Sequence, residues 1–373
     1  MDNLYEIKKE QYMNMAIQLA KKAIGKVSPN PLVGAVIVKD GEIIGSGFHQ
    51  KYGGFHAERN AINSCKKSPK DSTIYVTLEP CCHYGKTPPC TMAIIESGIK
   101  KVVVGCLDVN EKMAGKGIKT LQDSGIEVEI GVLEEECRKL NNIFFHYITN
   151  KTPYVLMKYA MTMDGKIATN TGASKWISNE KSREHVHKLR AKYSAIMVGV
   201  NTVLTDNPEL TCRIKDARNP IRIICDSTLK TPLDSKIVST AKQVKTIIAT
   251  INLDKAMHKT YEEKGVEIIV TSEQLSQVNL KELMFILGEK GIDSILLEGG
   301  ATLNFSALNS QIVNKIMCYI APKIFGGEKA KSPVMGEGFS AVNNKIQLKN
   351  QKIKTIENDV LIESEVHYVH RDC

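Results

Sequence analysis

His56-Ala57-Glu58, followed by Pro80-Cys81 and then Cys90, puts one imidazole, two thiols and a nearby carboxylate in a fixed order. Those are the parts of a catalytic zinc site. Three protein ligands leave a fourth tetrahedral position for water, which the metal acidifies. A carboxylate that is close but not coordinated can then carry protons between that water and a leaving amine. Zinc nucleobase deaminases share this layout, with H-x-E and then P-C-x-x-C. Here the second thiol comes nine residues after the first instead of three. Cys82 or His83 could supply a fourth ligand, which would make the metal structural instead of catalytic.

The elements that must position these residues read as an α/β pattern. Residues 10–24 have helical periodicity through Met13, Ala16, Ile17, Ala20 and Ile24. Strands follow over Leu32 to Val38 and Ile43 to Phe48, around the turn signal Lys39-Asp40-Gly41. His49 ends the second strand, and His56 opens a helix. A β-branched strand from Thr73 to Leu78 delivers Glu79-Pro80-Cys81, and Cys90 starts the next helix. Strands at Lys101 to Gly105 and Val128 to Gly131, then a helix from Leu133 to Tyr147, complete a layered α/β unit with ligands at strand ends.

The pattern restarts near 148–152, which divides the chain into domains 1–149 and 150–373, as a length of 373 residues leads one to expect. The second half alternates strands at Pro153 to Ala160, Ala195 to Val200, Ile221 to Cys225, Thr246 to Thr250, Val266 to Val270, Ser294 to Leu297 and Lys315 to Ile320 with helices at Glu180 to Ala191, Leu280 to Glu289 and from Ala301. Beyond Val334 the chain reads as less regular, with two short strand-like runs around Ile353 and Val360 to Ser364. Gly299-Gly300 before the helix could offer backbone N–H groups to a phosphate. No G-x-G-x-x-G follows a strand.

Bulk properties exclude several classes. The longest apolar runs fall far short of the ~20 residues of a membrane span, and residues 1–10 contain no apolar signal core. Ten scattered cysteines suggest free thiols and a metal site in a reducing, cytoplasmic setting. The net charge is +9. Most of that excess lies after Asn150, without a basic run, and fits cations at an anionic small-molecule site.

The motifs together resemble one family. His56-Ala57-Glu58 with Thr77-Leu78-Glu79-Pro80-Cys81-x-His83-x-Gly85-x-Thr87-Pro88-Pro89-Cys90 is similar to the pyrimidine deaminase domain of the bifunctional riboflavin-biosynthesis deaminase–reductases. The resemblance implies a cytidine-deaminase-like three-layer α/β/α domain in which His56, Cys81 and Cys90 bind one Zn2+ and Glu58 shuttles protons. It places Asn30, His49, His83 and Lys86 at the deaminase substrate. Lys86 taken alone could equally be an exposed loop lysine. Cys82 stands where the family commonly has serine, and a bystander role is expected.

The resemblance continues through Lys158-Tyr159-Ala160-Met161-Thr162-Met163-Asp164-Gly165-Lys166, Ser174-Lys175-Trp176-Ile177-Ser178, the Val198 to Arg213 segment and Leu297-Glu298-Gly299-Gly300. It implies a dihydrofolate-reductase-like α/β domain that uses NADPH. Ala160, Trp176, Thr202, Asp206, Gly300, Ala301, Thr302, Leu303, Asn304, Phe305 and Ser306 would line the cofactor site. Ser174, Arg190, Leu210, Arg213 and Glu298 would hold the substrate, with the two arginines suited to a phosphate. Asp164 could instead be a turn aspartate before Gly165.

The implied reactions are zinc-dependent hydrolytic deamination of a phosphoribosylaminopyrimidine to the uracil, then reduction of the ribosyl to a ribityl chain. The expected partners are phosphorylated pyrimidines and further copies of the chain, with neither nucleic acid nor membrane. A competing reading is a nucleic-acid deaminase with a basic accessory domain. It calls for stacking aromatics, and only 6% of residues are aromatic, with one Trp.

Overall fold

The computed structural model describes residues 2–85, 88–110, 113–338 and 346–368. The chain forms two compact units, 1–151 and 152–373.

The first unit runs α1 (Asp2–Lys21), β1 (Gly34–Lys39), β2 (Glu42–Phe48), α2 (Ala57–Asn63), β3 (Thr73–Leu78), α3 (Cys90–Glu96), β4 (Lys101–Cys106), α4 (Lys116–Asp123), β5 (Glu127–Ile130), α5 (Glu134–Leu140) and α6 (Asn142–Asn150). Its sheet has the order β2-β1-β3-β4-β5. The pairings of β1 with β2 and β3 are antiparallel, and those of β3, β4 and β5 are parallel. Val36, Ile37, Ile74, Val76, Val102, Val103 and Val104 are fully buried. Consecutive residues of β4 are therefore covered on both faces, as a central strand between helical layers requires. Helix α2 lies against β2 at a glycine. A Cβ on Gly47 would stand 2.4 Å from Ala61 N and 2.7 Å from Ala57 O, closer than any side chain allows.

Two expectations for this unit change. The first helix begins at Asp2 and ends at Lys21, ahead of a run of turns. The helix expected over Leu133 to Tyr147 breaks at Asn141. The Asn141 side chain accepts from Leu32 N (2.8 Å) and donates to Leu32 O (2.9 Å), so it behaves as a strand partner and leaves the helix.

The second unit contains β6 (Tyr154–Thr162), α7 (Glu180–Lys192), β7 (Ala195–Gly199), α8 (Val200–Asp206), β8 (Ile221–Cys225), α9 (Lys236–Ser239), β9 (Thr246–Thr250), α10 (Lys255–Glu262), β10 (Val266–Val270), the two-residue pair β11 (Glu273–Gln274) and β12 (Gln277–Val278), α11 (Leu280–Glu289), β13 (Ser294–Leu297), α12 (Ala301–Asn309), β14 (Lys315–Ala321), β15 (Ile346–Ile356) and β16 (Asp359–Tyr368). A nine-stranded sheet has the order β10-β9-β8-β7-β13-β6-β14-β16-β15. Its first seven strands are mutually parallel, and the hairpin β15–β16 adds to β14 antiparallel. Along β7, Ala195 and Met197 join one apolar cluster while Ile196 and Val198 join another, so both sheet faces are covered.

The tail is more regular than expected, since β15 and β16 are long paired strands in place of two short runs. Residues 347–355 of β15 are exposed, so core burial imposes no apolar alternation there. No helix among the described residues is long and apolar enough to cross a membrane.

Candidate active sites

Local structure converges on one point in the first unit. His56 immediately precedes α2, Cys81 follows β3, and Cys90 is the first residue of α3. His56 Nδ1 stands 3.5 Å from Cys81 Sγ and 3.4 Å from Cys90 Sγ, and one donor atom from each residue falls within 4.8 Å of the others. Arg59 on α2 donates to the carbonyls of Pro88 (3.3 Å) and Pro89 (3.2 Å), which fixes the approach to Cys90 relative to His56.

The donor set suits a divalent cation of borderline softness, because two thiols and an imidazole without a disulfide are zinc ligands by type. The Cys81 thiol is pulled down by Cys90, against its own burial, and further by His56. Cys90 is pushed up by Cys81 and by burial. A bound cation removes that competition by taking both thiolates. Cys82 and His83 lie outside the three-donor cluster, which therefore keeps an open position among the described residues.

Glu58 is 3% exposed, and its Oε2 is buried without a hydrogen-bond partner. Burial pushes its carboxyl up to about 7. A carboxyl in that state can both accept and return a proton near neutral pH.

A cavity of about 330 Å³ opens over these groups and includes Asn30, His49, His56, Glu58, Cys81 and His83 in its lining. Burial lowers His49, so the ring is neutral. Its Nδ1–H donates to Phe55 O (3.0 Å), leaving Nε2 to accept from Asn30 Nδ2 (3.1 Å). That chain fixes the orientation of the Asn30 amide. His83 Nδ1 lies 2.8 Å from Met113 Sδ. Lys86 lies outside the described residues. Tyr52, Asp108, Asn110, Met113, Phe144 and Ile148 also line the cavity, and sequence reasoning missed them. They come from loops and from α6, where no spacing signals a site.

In the second unit two cavities, each about 630 Å³, share Ser174, Asp206 and Glu298 in their linings. Thr202, Gly300, Ala301, Thr302, Leu303 and Ser306 line the first. Gly299 and Gly300 take φ of 87° and 74°, a turn that side-chain-bearing residues resist, and Gly300 with Ala301 brings the start of α12 to the cavity wall. A pyrophosphate fits such a start. Ala160, Trp176, Arg190, Leu210 and Arg213 line the second. Ala160 and Trp176 thus sit apart from the other residues expected at the cofactor. Asn304 and Phe305 line neither cavity. Asn304 Nδ2 donates to Pro333 O (2.8 Å), and Phe305 packs beneath Gly336.

Arg190, expected at a phosphate, is forked onto Glu298, with Nε–Oε1 at 2.7 Å and Nη2–Oε2 at 2.9 Å. Burial pushes the Glu298 carboxyl up, but Arg190 outweighs it and holds the group at about 2. The Arg213 side chain is exposed and has no side-chain partner among the described residues. Lys158 and His187 also line this cavity. Burial lowers the Lys158 ammonium, with Glu298 opposing. Its signal in the sequence is a lysine inside an otherwise apolar strand. Asp164 accepts from Gly326 N (2.7 Å) and Phe325 N (3.2 Å), which ties two loops together.

Comparison with known proteins resolves the relationship. Residues 6–106 match the cytidine and deoxycytidylate deaminase zinc-binding region, and residues 153–362 match the RibD C-terminal domain. The chain is 53% identical over 352 residues to riboflavin biosynthesis protein RibD of Actinobacillus pleuropneumoniae, covering 94% of each. The chain belongs to the RibD family. It is 44% identical to RibD of Aquifex aeolicus, covering 95% of this chain and 97% of that one. It also superposes on a crystallised diaminohydroxyphosphoribosylaminopyrimidine deaminase/5-amino-6-(5-phosphoribosylamino)uracil reductase of Thermotoga maritima, with TM-score 0.84, 40% identity, and coverage of 97% and 99%. The chain is therefore a bifunctional deaminase and reductase of riboflavin biosynthesis, with a cytidine-deaminase-like fold followed by a dihydrofolate-reductase-like one.

Proposed function

We propose that the first unit removes the C2 amino group of 2,5-diamino-6-(5-phosphoribosylamino)pyrimidin-4(3H)-one, and that the second reduces the ribosyl chain of the resulting uracil to ribityl. His56, Cys81 and Cys90 hold the metal. Zinc bound there supplies an acidified water at neutral pH. Glu58 takes a proton from the water through Oε2 and returns it to the departing amine. Asn30 and His83 orient the pyrimidine, and His49 fixes the Asn30 amide. Lys86 is assigned to the substrate phosphate by its place in the motif. The observation that carries this reading is the buried, unpartnered Glu58 Oε2 beside the three donors.

In the second unit the cavity at Gly300 to Leu303, with Ser306, Thr202 and Asp206, takes NADPH, which supplies hydride. Asn304 and Phe305 support that wall from behind, and Ala160 and Trp176 close the far side where cofactor and substrate meet. Ser174, Leu210 and Glu298 position the open sugar chain, and Arg213 offers its free fork to the phosphate. Arg190 keeps Glu298 ionised and aimed. The shared rim of Ser174, Asp206 and Glu298 supports this reading, since it sets the two cavities edge to edge. The free thiols suit a reducing cytoplasm.

The test follows ammonia release and NADPH oxidation together, using zinc-loaded protein and the diaminopyrimidinone phosphate. The expected result is ammonia without NADPH, and NADPH oxidation only after deamination. Ammonia without any NADPH oxidation removes the reductase assignment. No ammonia from metal-loaded protein removes the deaminase assignment.

A further inference from the structure

Glu79 is 4% exposed, between the end of β3 and the Pro80-Cys81 arm, and the chemistry described above does not use it. Its carboxylate is fully engaged with backbone donors. Oε1 accepts from Gly117 N (2.9 Å) and Ile118 N (3.4 Å), and Oε2 accepts from Gly115 N (3.1 Å) and Asp108 N (3.3 Å). Those four donors belong to the segment between β4 and α4 and to the first turn of α4. The same segment supplies Asp108, Asn110 and Met113 to the cavity wall. Asp108 Oδ1 accepts from Asn110 N (2.8 Å), which ties the two residues to each other.

A second contact pins the segment at the same place. A Cβ on Gly117 would stand 2.1 Å from Pro80 O and 3.1 Å from Glu79 Oε1. Residue 117 must therefore be glycine for the segment to reach both the carboxylate and the backbone of the arm that carries Cys81.

The geometry points to Glu79 as a positioning residue that clamps the Asp108–Asn110 piece against the cavity as a recognition edge for the amino groups of a diaminopyrimidine. The inference rests on the deaminase reading of this cavity. Asp108 and Asn110 bring acceptors to a cavity wall that Asn30 and His49 also line. The exocyclic amines of a diaminopyrimidine are the donors such acceptors recognise. Glu79 stays out of the reaction and acts through the two residues it holds.

The test compares Glu79→Gln with the parent in the full-length, zinc-loaded chain. A glutamine is nearly the same size, but its NH2 end faces backbone N–H donors where an oxygen stood, so one side of the clamp opens. Losing a charge-assisted bond of this kind is worth roughly tenfold. KM for the diaminopyrimidinone phosphate is expected to rise by about that factor with little change in kcat, the pattern of lost positioning as distinct from lost chemistry. Zinc content, the visible spectrum of the cobalt-substituted protein and the reductase rate on the deaminated substrate should stay at parental values. Gly117→Ala, which displaces the same segment by steric contact and leaves the carboxylate charge in place, should shift KM in the same direction. An unchanged KM in Glu79→Gln overturns the proposal. So does loss of zinc or a changed cobalt spectrum, because the carboxylate would then serve the Cys81 arm. A normal KM in Gly117→Ala beside a raised one in Glu79→Gln would also overturn it. If the parent chain itself releases no ammonia, the deaminase reading fails, a result distinct from all of these.

Discussion

The two sites are built over very different stretches of chain. The metal-type cluster draws His56, Glu58, Cys81 and Cys90 from one short segment, each next to the end of a strand or helix. The two cavities of the second unit draw Lys158, Arg190, Glu298 and the start of α12 from across a seven-strand parallel array. In the first, chemistry is concentrated in residues whose types already declare it. In the second, it depends on which strands become neighbours. Arg190 and Glu298 pair across 108 positions, and neither is informative without the other.

That contrast predicts separable failures. Cys90→Ser has the largest expected effect. Zinc content falls, and ammonia release drops to background while NADPH oxidation on deaminated substrate continues at the parental rate. Parallel loss of both activities would show that the sites are not independent. Glu58→Gln comes next, with zinc retained and deamination reduced by about 10²- to 10⁴-fold, the usual contribution of a proton shuttle. Deamination that survives undiminished would remove Glu58 from the mechanism.

In the second unit, Arg190→Met leaves Glu298 buried beside Lys158 without its fork. Breaking a buried pair in this way costs about 3–5 kcal/mol. The expected outcome is a lower melting transition for that unit and loss of NADPH oxidation, with ammonia release preserved. A melting curve that matches the parent would show that the pair, although buried, adds nothing to the stability of the unit.

The smallest effect is a pH dependence. Glu298 is held at about 2, below its ordinary value near 4.5. A depressed carboxyl contributes stability that is complete above the unfolded value and is lost as pH falls from about 4.5 toward 2. Glu363 is also held at about 2, with burial raising it and Lys315 and Lys354 together outweighing that rise. Acid unfolding monitored by Trp176 fluorescence, a probe confined to the second unit, should therefore steepen over that window. Glu298→Gln should flatten it.

The residues show why some of this was legible in the sequence. Thr73 to Leu78 reads as a strand because it is rich in β-branched residues, all but Thr73 of which the structure buries, and the cysteines that bracket the following loop cannot be mistaken for core filler. The break at Asn141 was not legible, because its cause is the Leu32 backbone 109 positions away. Nor was β15, since a strand exposed along most of its length carries no alternation to detect. The cavity residues Asp108, Asn110 and Met113 were equally hidden. They gain meaning only from a carboxylate at position 79 that looks, in the sequence, like part of the thiol motif.

The placement of β6 bears on how the chain is made. This strand opens the second unit, yet its two sheet neighbours are β13 and β14, well over a hundred residues later. During synthesis β6 emerges long before either partner, and its apolar residues Val155, Leu156 and Met157 have no strand to join until Ser294 has left the ribosome. The first unit is under no such delay, since β1 to β5 follow one another closely. The second unit therefore has the higher contact order and folds later and more slowly. A chain truncated before Ser294 would leave β6 unpaired and exposed to aggregation while the first unit is already complete.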